Sequence, residues 1–74
     1  MYIVIIKSDE LKIRKGFRFD SSKDAVEKIE KSYDELWKFI EQYCDTKNAS
    51  GHRGKYEASI CTGRINIDIF SIIL

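Results

Sequence analysis

A basic segment near the middle of the chain contains the residues whose types could carry out chemistry. Within and just after Thr46–Gly54 lie His52, Arg53 and Lys55, together with two glycines. Glycines let backbone amides approach an anion, and the cations would neutralise its charge. The segment follows a predicted helix rather than preceding one, and it lacks the glycine–lysine spacing of a phosphate loop. It therefore indicates either a phosphate or nucleic-acid contact or a solvated connector.

Any imidazole general base must be His52, because it is the only histidine in the chain. Arg53, Lys55 and Tyr56 lie beside it, as cations and tyrosines do in small nucleases. The chain supplies no second imidazole and no recognisable pair of nucleophile and base. We therefore predict that the protein is not an enzyme and has no catalytic residue, and a His52-dependent nuclease is the least favoured hypothesis.

Soft metal ligands are few and poorly spaced. Cys44, His52 and Cys61 would make three ligands, at spacings that match no common zinc site. We predict no metal and no cofactor. With no secretion signal, the two cysteines indicate a reducing, intracellular setting, in which Cys44 and Cys61 are small buried hydrophobic residues. A disulfide between them is the alternative.

Length and composition indicate one ordered domain, residues 1–74. The chain is 43% hydrophobic and 34% charged, and its net charge of +1 identifies neither a nucleic-acid nor a membrane partner. No apolar run approaches the roughly 18 residues of a membrane span, and the first residues do not read as a signal peptide. We predict a cytoplasmic protein with no membrane partner.

Two strands are predicted at the start of the chain. Tyr2–Lys7 is a nearly continuous apolar run, which is typical of a strand buried on both faces. Leu11–Phe19 alternates, so that one of its faces is basic, and Lys15 breaks the apolar register at a sheet margin or a bulge. The basic stripe indicates either a binding surface for an acidic partner or charges that protect an edge strand from aggregation. Its members are Lys12, Arg14 and Arg18.

A long helix and a hairpin follow. Ser21 can cap a helix over residues 21–45, whose apolar residues recur every three or four positions, with Phe39 off the apolar stripe. Strands are predicted at Lys55–Thr62 and Arg64–Leu74, joined by a turn at Thr62-Gly63. Residues 21–45 hold four lysines and seven acidic residues, whereas the rest holds nine basic and five acidic residues. An acidic helix thus opposes a basic sheet.

These elements predict an α+β fold of order ββαββ. The sheet is four-stranded and mainly antiparallel, in the order 2-1-4-3, with one long helix across one face. In this arrangement strands one and four form a parallel central pair. One helix covers only one face of such a sheet.

The uncovered face is predicted to be an interface. Tyr2, Val4 and Ile6 alternate with Ile3 and Ile5, so one of the two sets faces away from the helix. The predicted interface therefore consists of apolar residues from the first and last strands: Tyr2, Val4, Ile6, Phe70, Ile72 and Leu74. We expect a homodimer or a protein partner on this face.

The favoured function is a small non-catalytic interaction protein, that is, an inhibitor, adaptor or regulator of a larger macromolecule. One concrete form is an inhibitor that a phage, virus or other mobile element encodes and that acts on a nucleic-acid enzyme of the host. The alternative is a direct nucleic-acid-binding module that uses the basic strand face and the His52 loop. The residues predicted to bind are Lys12, Arg14, Arg18, His52, Arg53 and Lys55.

Overall fold

The described residues fold as a five-stranded antiparallel sheet with one helix across one face. The computed structural model describes residues 1–43 and 48–74. The elements in chain order are β1 (Tyr2–Ser8), β2 (Ile13–Phe19), α1 (Ser22–Tyr43), β3 (Ala49–Arg53), β4 (Glu57–Thr62) and β5 (Ile65–Ile73). The predicted α+β class with a single long helix is confirmed, and the predicted number of strands is wrong.

The additional strand, β3, lies where the sequence predicts a loop. The sheet order is β2-β1-β5-β4-β3, so β3 forms the edge beyond β4. An extra strand between the helix and β4 reverses the direction of both strands that follow it. As a result β1 and β5 pair antiparallel, and the predicted parallel central pair is wrong.

The hairpin of β4 and β5 turns at Gly63-Arg64, one residue later than the predicted Thr62-Gly63. Gly63 has a φ of 53°, which suits the first central position of a two-residue hairpin turn. The register is shifted by two residues, and a shift of two leaves every side chain on its predicted face. In the observed register Glu57 lies opposite Phe70, and Asp68 lies opposite Ser59.

The hairpin of β1 and β2 pairs one to one along its whole length, from Tyr2 with Phe19 to Ser8 with Ile13. Lys12 lies in the connecting turn with a φ of 55°, and its N–H donates to the Asp9 carbonyl oxygen at 3.3 Å. The ladder continues through Lys15 without a bulge, and β2 forms the edge of the sheet, so of the two predicted alternatives the sheet margin is correct.

Helix α1 begins as the sequence predicts. The Ser21 hydroxyl accepts a hydrogen bond from the Asp24 N–H at 3.2 Å, which is the geometry of a helix N-cap. The buried line of the helix runs through Ala25, Ile29, Ser32 and Ile40. Its two small residues let the helix approach the sheet closely. The hydrophobic core comprises Val4, Ile6, Ala25, Ile29, Ile40, Ala58, Ile60, Ile67 and Ile69.

Candidate binding surface

The sheet face opposite α1 is the main candidate site, and we call it the open face. Cross-strand partners in a sheet share a face, so the pairing registers assign each residue to one side. The strands' buried residues, such as Val4 and Ile67, lie on the helix side. Residues of the opposite parity form the open face: Ile3, Ile5, Lys7, Arg14, Gly16, Arg18, Ser50, His52, Glu57, Ser59, Cys61, Asn66, Asp68, Phe70 and Ile72.

Apolar side chains occupy two neighbouring rows at the centre of the open face. Ile3 pairs with Ile72, and Ile5 pairs with Phe70. Ile72 is 41% exposed, and the other three are partly exposed. We call these four residues the apolar patch. Gly16 lies opposite Ile5 on the edge strand and has no side chain, so a shallow hollow of about 380 Å³ opens there.

Charges of opposite sign lie on the two halves of the open face. Arg14 on β2 is followed across the sheet by Lys7 on β1 and Asp68 on β5. Glu57 on β4 lies beside Phe70. The open face is therefore basic towards β2 and acidic towards β4, and the two regions meet at the Lys7–Asp68 pair next to the apolar patch.

The predicted interface residues of β1 require a correction. Val4 is fully buried and Ile6 is 7% exposed, both under the helix, and Tyr2 has the same parity. Ile3 and Ile5 take their place on the open face. Of the residues predicted from the end of the chain, Phe70 and Ile72 lie on the open face. Leu74 follows β5, is 70% exposed, and donates its N–H to the Met1 carbonyl oxygen at 3.0 Å.

The six predicted binding residues do not form one surface. Arg14 and Arg18 lie on the open face of β2, whereas Lys12 lies in the preceding turn. His52 lies on β3, at the other edge of the sheet, about 19 Å from β2 by strand spacing. Arg53 and Lys55 lie near that edge.

Arg53 points to the helix side of the sheet. Its Nη1 atom lies 3.9 Å from Asp34 Oδ1, and its guanidinium carbon lies 5.9 Å from the centre of the Tyr33 ring. Lys55 extends over the ring of Tyr56, with Nζ 5.3 Å from the ring centre. These two cations are therefore directed towards groups of their own chain.

His52 lies beside the carboxylate of Glu57, and both side chains are exposed to solvent. Its Nε2 atom lies 3.9 Å from Glu57 Oε1, and the two side chains are 68% and 71% exposed. Such a solvated pair contributes little to stability. Ser59 lies opposite His52 in the ladder, and Asp68 lies opposite Ser59. In a nucleophile–base–acid arrangement the histidine lies between the other two, whereas here the serine does.

Tyr56 is tied to the start of the helix. Its hydroxyl lies 3.1 Å from the Ser22 hydroxyl oxygen. This hydrogen bond, and secondly the nearby Lys55 ammonium, lower the pKa of Tyr56 below its usual value. The contact fixes the segment before β4 against α1.

Metal-ligating groups are not gathered anywhere in the described ranges 1–43 and 48–74, where no three His, Cys, Asp or Glu residues could hold one ion. Cys61 is free and exposed on the open face, which corrects its prediction as a buried hydrophobic residue. Cys44 lies outside the described residues.

Sequence reasoning missed Ile3, Ile5 and the acidic residues Glu57 and Asp68 as members of this surface. A continuous apolar strand carries no signal of which parity faces the helix. For Glu57 and Asp68 the signal is present, because each has the parity opposite to the buried alanine and isoleucines beside it on its strand.

Comparisons with protein-family models, with curated proteins and with solved structures found no match to this chain. The described part of the chain has no helix that is long and apolar enough to cross a membrane.

Proposed function

We propose that this protein is a non-catalytic interaction protein whose open face binds another protein surface, in the first instance a second copy of itself. The observation that carries the proposal is the apolar patch of Ile3, Ile5, Phe70 and Ile72 on a sheet face that the helix leaves uncovered. Apolar side chains grouped in this way mark interaction sites more often than solvated surface. An adaptor, inhibitor or regulator can act by such contacts alone.

Charge supports a twofold axis that runs parallel to the strands, between β1 and β5. With this axis, Ile5 of one copy meets Phe70 of the other, and Lys7 meets Asp68, because β1 lies over β5 of the second copy. Arg14 would flank the acidic side of the second copy. An axis perpendicular to the strands would instead place β2 over β2 and bring like charges together.

The size of the face sets the expected strength. Five strands at about 4.8 Å spacing and about 20 Å of strand length give roughly 500 Å² per copy. A pair would bury on the order of 1,000 Å², which is the lower limit for a specific interface. We therefore expect a dimer that dissociates in roughly the micromolar range.

Sedimentation equilibrium on three variants tests this proposal. Phe70→Lys should give a monomer, because it places a charge at the centre of the interface. Lys7→Glu should weaken the dimer at least about tenfold, and the double exchange of Lys7→Glu with Asp68→Lys should restore it. Lys31→Glu, on the exposed surface of the helix, is the matched control. A wild type that stays monomeric at about 1 mM, or a dimer that Phe70→Lys leaves intact, would contradict the proposal.

The second candidate is nucleic-acid binding, and a different observation favours it. Lys7 and Arg14 line the hollow at Gly16, where a phosphate chain could pass, and Arg18 lies on the same face of β2. Three phosphate contacts predict a log–log salt dependence of about −2 for a single strand. Fluorescence anisotropy with a labelled single-stranded oligonucleotide measures this slope. Arg14→Glu should flatten it, whereas Arg53→Glu, on the helix side, should not, and equal effects of the two variants would exclude this surface.

A further inference from the structure

A second surface lies on the helix side of the sheet, between β2 and α1. We call it the β2–α1 groove. It is a cleft of about 240 Å³ with apolar walls formed by Ile13 and Phe17 on β2 and by Leu36 and Phe39 on the helix. Phe39 is 40% exposed although it is a large apolar side chain. Strand β2 is also an edge strand of the sheet, so one row of its backbone N–H and C=O groups faces outward.

We propose that the β2–α1 groove binds an extended segment of another protein, which pairs with the outer edge of β2 as a sixth strand. In such strand addition the backbone supplies hydrogen bonds and alternate side chains supply specificity. Ile13, Lys15 and Phe17 are the three β2 residues that face the groove. The complementary segment is therefore apolar, any residue, acidic, any residue, apolar. This pattern reads the same in both directions, so it applies to either strand polarity.

The positive charge of the groove favours an acidic residue at the centre of the bound segment. Lys15 is exposed and, within residues 1–43 and 48–74, forms no ion pair with a carboxylate. Lys28 also lines the groove, with its Nζ 4.1 Å from the centre of the Phe17 ring. Among the described residues, Glu35 is the one acidic residue of the lining, which leaves a net positive charge there.

Two arginines on the other face of β2, Arg14 and Arg18, oppose pairing of its outer edge with a second copy. An antiparallel pair of β2 strands centred on Gly16 would place Arg14 of each copy opposite Arg18 of the other. Like charges directly opposite each other destabilise a strand pair. The proposed occupant is therefore a different protein segment. The groove lies on the helix side of the sheet, and of the described residues it shares only Lys15 with the lining of the hollow at Gly16.

The test uses a fluorescein-labelled probe peptide with the core Val-Thr-Glu-Thr-Val, and a second peptide with lysine at the central position. We expect the glutamate peptide to bind wild type up to about fivefold more tightly, which corresponds to one cross-strand charge pair. Lys15→Glu should reverse this preference. Phe39→Ala should weaken both peptides, because it removes one wall of the groove. Lys38→Glu, beside Trp37 on the other flank of the helix, is the matched control and should change neither.

Backbone methylation separates strand addition from simple insertion of side chains. N-methyl groups at the two valines and the glutamate, or at the two threonines, block opposite edges of the peptide. One methylation pattern should abolish binding of the peptide and the other should preserve it. In nuclear magnetic resonance spectra of the protein, binding should move the amide chemical shifts of β2, Ile13–Phe19. Failure of the glutamate peptide to bind at about 1 mM, equal binding of both methylated peptides, or an unchanged preference in Lys15→Glu would overturn the proposal.

Discussion

Replacing Gly51 with alanine tests how closely β3 is packed on the helix. Gly51 lies on the helix side of β3, above the stacked rings of Tyr33 and Trp37, whose centres are 6.2 Å apart. A Cβ atom at this position would overlap the Tyr33 hydroxyl and would lie 3.2 Å from Trp37 Cζ3. Relief requires the Tyr33 ring to shift, and the Arg53 guanidinium carbon lies 5.9 Å from the centre of that ring.

The expected cost is about 2 kcal/mol, within the range for overpacking of a fitted site. A domain of this size loses roughly 4–8 °C of melting temperature per kcal/mol, so Gly51→Ala should melt about 8–16 °C below wild type. Thermal unfolding followed by far-ultraviolet circular dichroism measures this change. Tyr33→Phe should recover part of the loss in the Gly51→Ala background, because it removes the atom that overlaps most.

Gly16→Ala is the matched control for this experiment. A Cβ atom there meets nothing nearer than Ile3 Cγ2 at 3.9 Å. The same exchange of residues should therefore be neutral, or stabilising by about 0.5 kcal/mol through the unfolded chain. If Gly51→Ala and Gly16→Ala melt at the same temperature, the packing of β3 on Tyr33 and Trp37 is not as described.

Two further predictions concern single residues. Gly63→Ala should destabilise the protein by about 1 kcal/mol in a denaturant titration, because a φ of 53° is strained for alanine, although nothing lies within 4 Å of the added atom. Unchanged stability in Gly63→Ala would contradict the positive φ of Gly63. Tyr56 should lose its proton below the usual tyrosine pKa, and Ser22→Ala should raise that pKa, as followed by ultraviolet absorbance. Since the pKa is lowered in the folded state, the associated stabilisation is present at pH values above the pKa of the unfolded chain and is lost as the pH falls through the folded pKa. A titration that Ser22→Ala leaves unchanged would exclude the hydroxyl contact as the cause.

The helix and the faces of the β4 and β5 residues could be predicted because they depend on local periodicity. The apolar residues of α1 recur at the helical period, and Ser21 supplies a cap that the structure contains. The β4–β5 alternation assigned the faces correctly even though the register was two residues off. Periodicity of two is insensitive to a shift of two, so the turn residue, rather than the pattern, decides the register.

Strand β3 could not be predicted because its own sequence has no strand signal. Ala49–Arg53 contains serine, glycine and histidine, without apolar alternation. It becomes a strand because the edge of β4 offers partners for its backbone. The orientation of β1 has a similar origin, since Ile6 faces the helix through its pairing with Ile69. For both strands, the deciding interaction is with residues distant in sequence. The errors in the predicted interface and binding residues come from these two strands.

The central position of β1 and β5 has a consequence for the order in which the chain folds. Tyr2 pairs with Ile73 and Lys7 with Asp68, so the middle of the sheet joins residues from the two extremes of the described sequence. The β1–β2 hairpin and the β3–β4–β5 meander each close short loops, whereas this seam closes the longest one and bears the greatest loss of chain entropy. During synthesis the first hairpin and the helix can form while β5 is still absent. We expect the seam to be the last part of the sheet to assemble, so that β1 keeps an unpaired edge until the final strand arrives.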